Sequence, residues 1–288
     1  MSEVKSIAVI GAGAMGSGIA YTAALSGIRA YQIDVLPEQL HKSEAYHKKT
    51  MARAVEKQRM TQEEADAAFD RISYHRDIEE AEGADWGVEA VIENVELKKE
   101  ICRKMLDLFA QDAVLATNTS SIAITDIATA AGHHADRVIG MHFFNPVPVM
   151  KLVEVIRGLA TSDETMQRTV ELAERMGKTP VAANDRAGFV SNRVLMPMIN
   201  EAFYAWMEGV AKPVDIDEIM KLGMAHPMGP LRLADFIGLD VCHNIMMVLH
   251  DELGQDKYFP CPLLRQLVQA GRLGDKTGRG VYDYSKKE

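Results

Sequence analysis

"SIAVIGAGAMGSGIA", residues 6–20, decides the fold. It opens on a continuous apolar run, Ile7 to Ile10, with no alternating polar residue. A strand of that kind is buried on both faces, as in a parallel sheet covered by helices. It then enters Gly11-Ala12-Gly13-Ala14-Met15-Gly16, after which the apolar spacing becomes helical through Leu25. In such a strand–loop–helix unit the first glycine permits a tight turn. The second lets backbone approach a pyrophosphate, and the third lets the helix sit close on the strand. The helix start adds N–H donors and a positive dipole end for phosphates. A second strand, "RAYQID", ends on Asp34, 18 residues beyond Gly16, where an acid takes the ribose hydroxyls of an adenosine. Such an acid repels a 2′-phosphate, so the segment predicts NAD over NADP.

The remaining composition sets limits. With 288 residues, 47% of them hydrophobic, the chain has room for two domains with their own cores. A net charge of -9 argues against a nucleic-acid partner. No run approaches the length of about 18 apolar residues that a membrane span needs, so no membrane partner is expected. The N-terminus enters a strand directly, without a charged leader or a cleavage pattern. Cys102, Cys242 and Cys261 lie far apart and form no CxxC pair. Neither a disulfide framework nor a metal site is expected, and a reducing cytoplasm fits.

After Asp34 a helical stretch runs from about residue 37 to 68, longer than a simple crossover requires. Between residues 41 and 59 it carries Lys42, Lys48, Lys49, Arg53, Lys57 and Arg59 against Glu44 and Glu56. Taken alone, the run reads first as a solvated helix face; the sharper alternative is a landing surface for a polyanion. "DWGVEAVIENVELKKEI" reads as a strand, a loop with Glu93 and Asn94, and a helix with Lys98. Glu89 in it reads as a strand-end acid with no role beyond solvation. Glu93 and Lys98 lie where strand ends face a cofactor. "AVLATNTSSIAITDIA" repeats the pattern, and Asn118-Thr119-Ser120-Ser121 reads first as a helix N-cap. Placed at this edge of the sheet, such a cap also turns its hydroxyls into the ligand crevice.

"DRVIGMHFFNP" gives the next strand, ending on His142, and "MKLVEVI" returns as another after Pro146 and Pro148. A histidine inside an apolar strand is ordinarily a satisfied core residue. At the end of a buried parallel strand it opens into the crevice instead. So short a turn also brings His142 within hydrogen-bond reach of Glu154.

The whole pattern resembles the short-chain L-3-hydroxyacyl-CoA dehydrogenase family, in particular its bacterial 3-hydroxybutyryl-CoA branch. The resemblance is carried by "VIGAGAMGSGIA", "VIENVELK", "TNTSSI", "HFFNPVPVMKLVEV", "GFVSNRV", "HPMGPLRLADFIGLD" and "GDKTGRGVYDY", over nearly the whole chain. It implies that His142 is the catalytic base and Glu154 its orienting carboxylate, with Ser120 and Asn192 completing the catalytic set. It implies NAD contacts at Gly11, Gly13, Gly16, Asp34, Glu93, Lys98, Asn118, Ser120, Asn145 and Lys276. Thr50 and Lys57, with Ser120, are implied as contacts to an acyl-CoA substrate; relatives often carry serine where Thr50 stands. One extra residue lies near "AAGHHADR", where His133 and His134 read as solvated loop residues.

The implied fold is an α/β, Rossmann-type doubly wound sheet over residues 1–184, followed by an all-α domain over 185–288 that mediates a homodimer. Helical apolar spacing at 189–208 and 236–253 agrees independently. The implied reaction interconverts a 3-hydroxyacyl-CoA and a 3-ketoacyl-CoA. Two alternatives stay open: a dehydrogenase of another hydroxy acid on the same fold, and a catalytically silent NAD-binding protein.

Overall fold

Ile7, Ala8 and Val9 are fully buried in β1 (Ser6–Ile10), as an apolar run inside a covered sheet requires. The computed structural model describes residues 3–285, in two units that divide between Asp185 and Arg186. In the first unit, β1 is followed by β2 (Arg29–Ile33), β3 (Ile72–His75), β4 (Trp86–Glu89) and β5 (Val114–Thr117). Then come β6 (Val138–Phe143), β7 (Leu152–Arg157) and β8 (Thr179–Asn184). Among the described residues these form one eight-stranded sheet in the order β3-β2-β1-β4-β5-β6-β7-β8. Pairing is parallel except between β6 and β7. The chain reverses its direction of travel across the sheet between β1 and β4, so a crevice opens beyond their carboxyl ends.

The helices of this unit are α1 (Ala14–Leu25), α2 (Pro37–Glu56), α3 (Gln62–Phe69), α4 (Val95–Leu108), α5 (Ile124–Ala128) and α6 (Asp163–Arg175). The helical stretch expected over 37–68 is therefore broken. Gln58 takes a positive φ of 54°, and Thr61 restarts the helix by a reciprocal capping box with Glu64. On its inner face α2 buries Leu40, Ser43, His47 and Met51. His47 bonds the Tyr74 hydroxyl through Nδ1 and the Ser17 carbonyl through Nε2, each at 2.7 Å. A carbonyl only accepts, so Nε2 carries the proton; burial lowers the imidazole's basicity and favours that neutral form. His47 thus fastens the basic helix to α1.

The edge strand β8 has no counterpart in the sequence reading. It is mostly exposed and contains Pro180, so the alternation that marks a half-buried strand is missing.

The second unit consists of α7 (Ser191–Met207), α8 (Pro213–Gly223), α9 (Pro230–Ile237), α10 (Leu239–Leu253) and α11 (Pro262–Gln269). Phe203, Leu231, Leu239, Met246, Leu249 and Leu264 form its core. Two buried carboxylates tie residues 281–284 down. Asp235 accepts from Val281 N, Tyr282 N and the Tyr284 hydroxyl; Asp217 accepts from Leu231 N, Arg232 N and the Tyr282 hydroxyl. Among the described residues no single helix is long and apolar enough to cross a membrane.

Candidate active site

The glycine loop has the geometry its spacing predicts. Gly11 holds φ +106°, and a Cβ there would come within 2.6 Å of the Ala90 carbonyl oxygen. At Gly16 a Cβ would lie 1.8 Å from the Gly11 oxygen, so α1 could not approach β1 this closely with any side chain. Gly13 behaves differently: a Cβ there would meet nothing within 4 Å. It faces open space and caps α1 without a side-chain bond, which leaves the first helical N–H groups available to a ligand. Asp34 accepts from Ala12 N at 2.8 Å and from Leu36 N at 3.0 Å. A cleft of about 290 Å³ adjoins the loop, lined by Gly13, Ser17, Lys42, Tyr46 and Asn145 among others. An open helix start, an oriented acid and an adjoining cleft fit a dinucleotide.

Two further partners of the loop escaped the sequence reading. Gln32, fully buried in β2, donates from Nε2 to the Gly11 carbonyl at 2.8 Å. Gly18 lets α1 pack on the β6–β7 turn, since a Cβ there would lie 2.7 Å from Val147 Cβ. A polar residue in an apolar strand and a glycine two residues past the motif were their only signals.

At the carboxyl ends of β4 and β5 the structure corrects two expectations. Glu89 is not a solvated acid: it is 1% exposed, and both its oxygens receive the Lys98 ammonium at 2.8 and 3.0 Å. Nor is the 118–121 quartet an N-cap, because α5 starts later, behind Ala123, without a side-chain cap. The quartet turns back to Glu93 instead. Glu93 Oε1 accepts from Ser120 N at 2.7 Å, Thr119 Oγ1 at 2.9 Å and Ser120 Oγ at 3.0 Å. Its Oε2 lies 3.1 Å from Lys98 Nζ. Partial burial works against the charge on Glu93, but the Lys98 ammonium and these hydrogen bonds outweigh it and hold the carboxyl below its ordinary range. Asn118 accepts from Phe143 N at 2.8 Å through Oδ1, which ties the end of β5 to the end of β6.

The β6–β7 pairing sets His142 directly opposite Glu154. His142 Nδ1 and Glu154 Oε2 are 2.8 Å apart, and both residues are buried. An ionised carboxylate only accepts, so Nδ1 carries the proton and the lone pair falls on Nε2. The Phe144 ring lies against the imidazole at 4.7 Å between centroids. Asn145, in the turn that follows, is exposed at the cleft beside Gly13.

A second cleft, about 490 Å³, brings Thr50 and Lys57 together with Arg53, Arg59, Pro148 and Val149. The Thr50 hydroxyl donates to the Tyr46 carbonyl at 2.7 Å. Of the residues expected in the helical unit, Asn192 is buried near the start of α7. Lys276 pairs with Asp240, its Nζ 2.6 Å from Oδ1. Among the described residues no cluster of three His, Cys, Asp or Glu is placed to hold a metal.

Sheet order, glycine loop and crevice together define a dinucleotide-binding domain. Known proteins narrow that class. A family model described as the NAD-binding domain of 3-hydroxyacyl-CoA dehydrogenase matches residues 6–186, and that of its C-terminal domain matches 188–284. The chain is 58% identical over 285 residues to a Bacillus subtilis (strain 168) protein named "Probable 3-hydroxybutyryl-CoA dehydrogenase", covering 99% of each. It is 46% identical to a 3-hydroxybutyryl-CoA dehydrogenase of Bradyrhizobium diazoefficiens, over 98% of this chain and 96% of that one. The crystal structure of (S)-3-hydroxybutyryl-CoA dehydrogenase from Ralstonia eutropha aligns with a TM-score of 0.95 at 44% identity, covering 99% of this chain and 100% of that one. The chain belongs to the 3-hydroxyacyl-CoA dehydrogenase family of NAD-dependent oxidoreductases.

Proposed function

We propose that the chain interconverts (S)-3-hydroxybutyryl-CoA and acetoacetyl-CoA, with His142 and Glu154 as its acid–base pair. The observation that carries this reading is the 2.8 Å contact between His142 Nδ1 and Glu154 Oε2, on the edge of the sheet that bears the glycine loop. NAD, when bound, supplies the hydride acceptor for oxidation and the donor for reduction. In oxidation His142 Nε2 takes the 3-hydroxyl proton as C3 loses its hydride; in reduction it returns that proton to the oxygen. Glu154 holds the ring in this tautomer and stabilises the imidazolium that forms. Ser120 positions the reacting oxygen, while Asp34 would hold the adenosine ribose of NAD and Glu93 would be a further contact to the cofactor.

Thr50 and Lys57 receive the nucleotide end of CoA. The cluster of Arg53, Lys57 and Arg59 around one cleft supports this over a merely solvated face, because it gives an acidic chain a local basic surface. Asn192 and Lys276 keep, on family resemblance, the roles of substrate and NAD contact. A homodimer through the helical unit is supported by exposed apolar side chains there, including Val194, Ile219, Leu222 and Phe236.

The reading is tested by following NADH with acetoacetyl-CoA and, separately, with free acetoacetate. Fast loss is expected with the thioester alone. Equal rates on both would favour a dehydrogenase of a free hydroxy acid, and no loss on either would favour a silent NAD-binding protein.

A further inference from the structure

Glu89 has no place in the chemistry just described, yet it is among the most heavily bonded side chains of the site. Besides both contacts from Lys98, its Oε1 accepts from Val91 N at 2.6 Å and its Oε2 from Thr117 Oγ1 at 2.8 Å. Removing a carboxylate and an ammonium from water is costly and is sustained only by such complete hydrogen bonding. Lys98 is equally buried, with 1% of its side chain exposed. What its ammonium touches beyond Glu89 is Glu93 Oε2 at 3.1 Å, with the Val91 carbonyl at 3.5 Å. Glu93 in turn is 38% exposed and grips Thr119 and Ser120. The contacts form one line from the buried end of β4 to the hydroxyl at the crevice.

We infer that Glu89 is a positioning residue: it fixes Lys98, Lys98 fixes Glu93, and Glu93 sets the Ser120 hydroxyl. This rests on the reading of Glu93 and Ser120 as cofactor and substrate contacts. The alternative makes the Glu89–Lys98 pair a packing feature with no part in placing Glu93. The two differ in what happens when the pair is removed together. Replacing a buried ion pair by apolar residues of similar volume often leaves stability unchanged or improves it. A pair that only packs would therefore become dispensable, whereas a pair that positions Glu93 would not.

The full-length protein is compared with Glu89→Gln and with the double variant Glu89→Leu/Lys98→Leu. Three quantities are measured: the thermal midpoint, the NADH dissociation constant by fluorescence titration, and kcat with acetoacetyl-CoA. Glu89→Gln is expected to weaken NADH binding several-fold and lower kcat about tenfold or more, as small misplacements of reacting groups do. The double variant is expected to recover the thermal midpoint while staying low in both NADH affinity and kcat. Recovery of all three in the double variant would overturn the inference, as would Glu89→Gln behaving like wild type. If the wild type itself fails to turn over acetoacetyl-CoA, the proposed reaction falls; the NADH titrations still decide on Glu89.

Discussion

Both units bury carboxylates, but against different partners. In the helical unit Asp217 and Asp235 are met by backbone N–H groups and tyrosine hydroxyls, which cannot change charge near neutrality. In the α/β unit Glu154 faces an imidazole across the β6–β7 pair, and Glu89 an ammonium at the carboxyl end of β4. The first arrangement staples the chain. The second holds charge beside the crevice, where the proposed reaction would move a proton. Burial alone therefore does not mark a functional acid; the chemistry of its partner and its place on the sheet do.

That contrast is open to test, with effects of decreasing size. His142→Gln keeps a polar side chain but removes the base. Turnover should fall by about 10²–10⁴-fold with NADH affinity retained, read from steady-state rates beside a fluorescence titration. Glu154→Gln leaves the base in place and removes a charge-assisted bond. Such a bond is worth about 1.5–3 kcal/mol, so kcat should drop roughly 10–10²-fold, less than for His142→Gln. Asp235→Asn, in contrast, should act on the fold. Its amide leaves a donor group facing other donors, costing about 1–3 kcal/mol of stability in a denaturant titration. Turnover measured well below the new midpoint should match wild type; a large kcat loss there would erase the distinction between the two kinds of buried acid. Lys57→Ala should have the smallest effect. An exposed ion pair contributes only about 0.2–1 kcal/mol, so KM for acetoacetyl-CoA should rise a few-fold and its salt dependence should flatten. Kinetics with acetoacetyl-N-acetylcysteamine, which lacks the nucleotide, should hardly respond to this change.

The features that were legible in the sequence are those set by short-range geometry. The glycine loop is one covalent run in which each residue's task follows from its spacing. His142 and Glu154 are joined by a single turn and meet in a two-strand register. Glu89 was misread because nothing local says that Lys98, nine residues on and across a loop, turns inward. The 118–121 quartet was misread for a similar reason: its hydroxyls are bonded by Glu93 from the loop between β4 and α4. The break after α2 falls at Gln58, a residue type that gives no warning of a positive φ. Thr61 and Glu64, at capping-box spacing, were the available signal.

The central claim is that His142 and Glu154 act as one unit, and a double-variant cycle addresses it most directly. Residues that act together show strongly non-additive losses, whereas independent residues show losses that multiply. Turnover is measured for wild type, His142→Gln, Glu154→Gln and the double variant under one set of conditions. The double variant should be no slower than His142→Gln alone, because a carboxylate with no imidazolium to stabilise has nothing left to contribute. A double variant slower than His142→Gln by the full factor lost in Glu154→Gln would contradict the pairing, leaving the 2.8 Å contact a structural bond with no part in proton transfer.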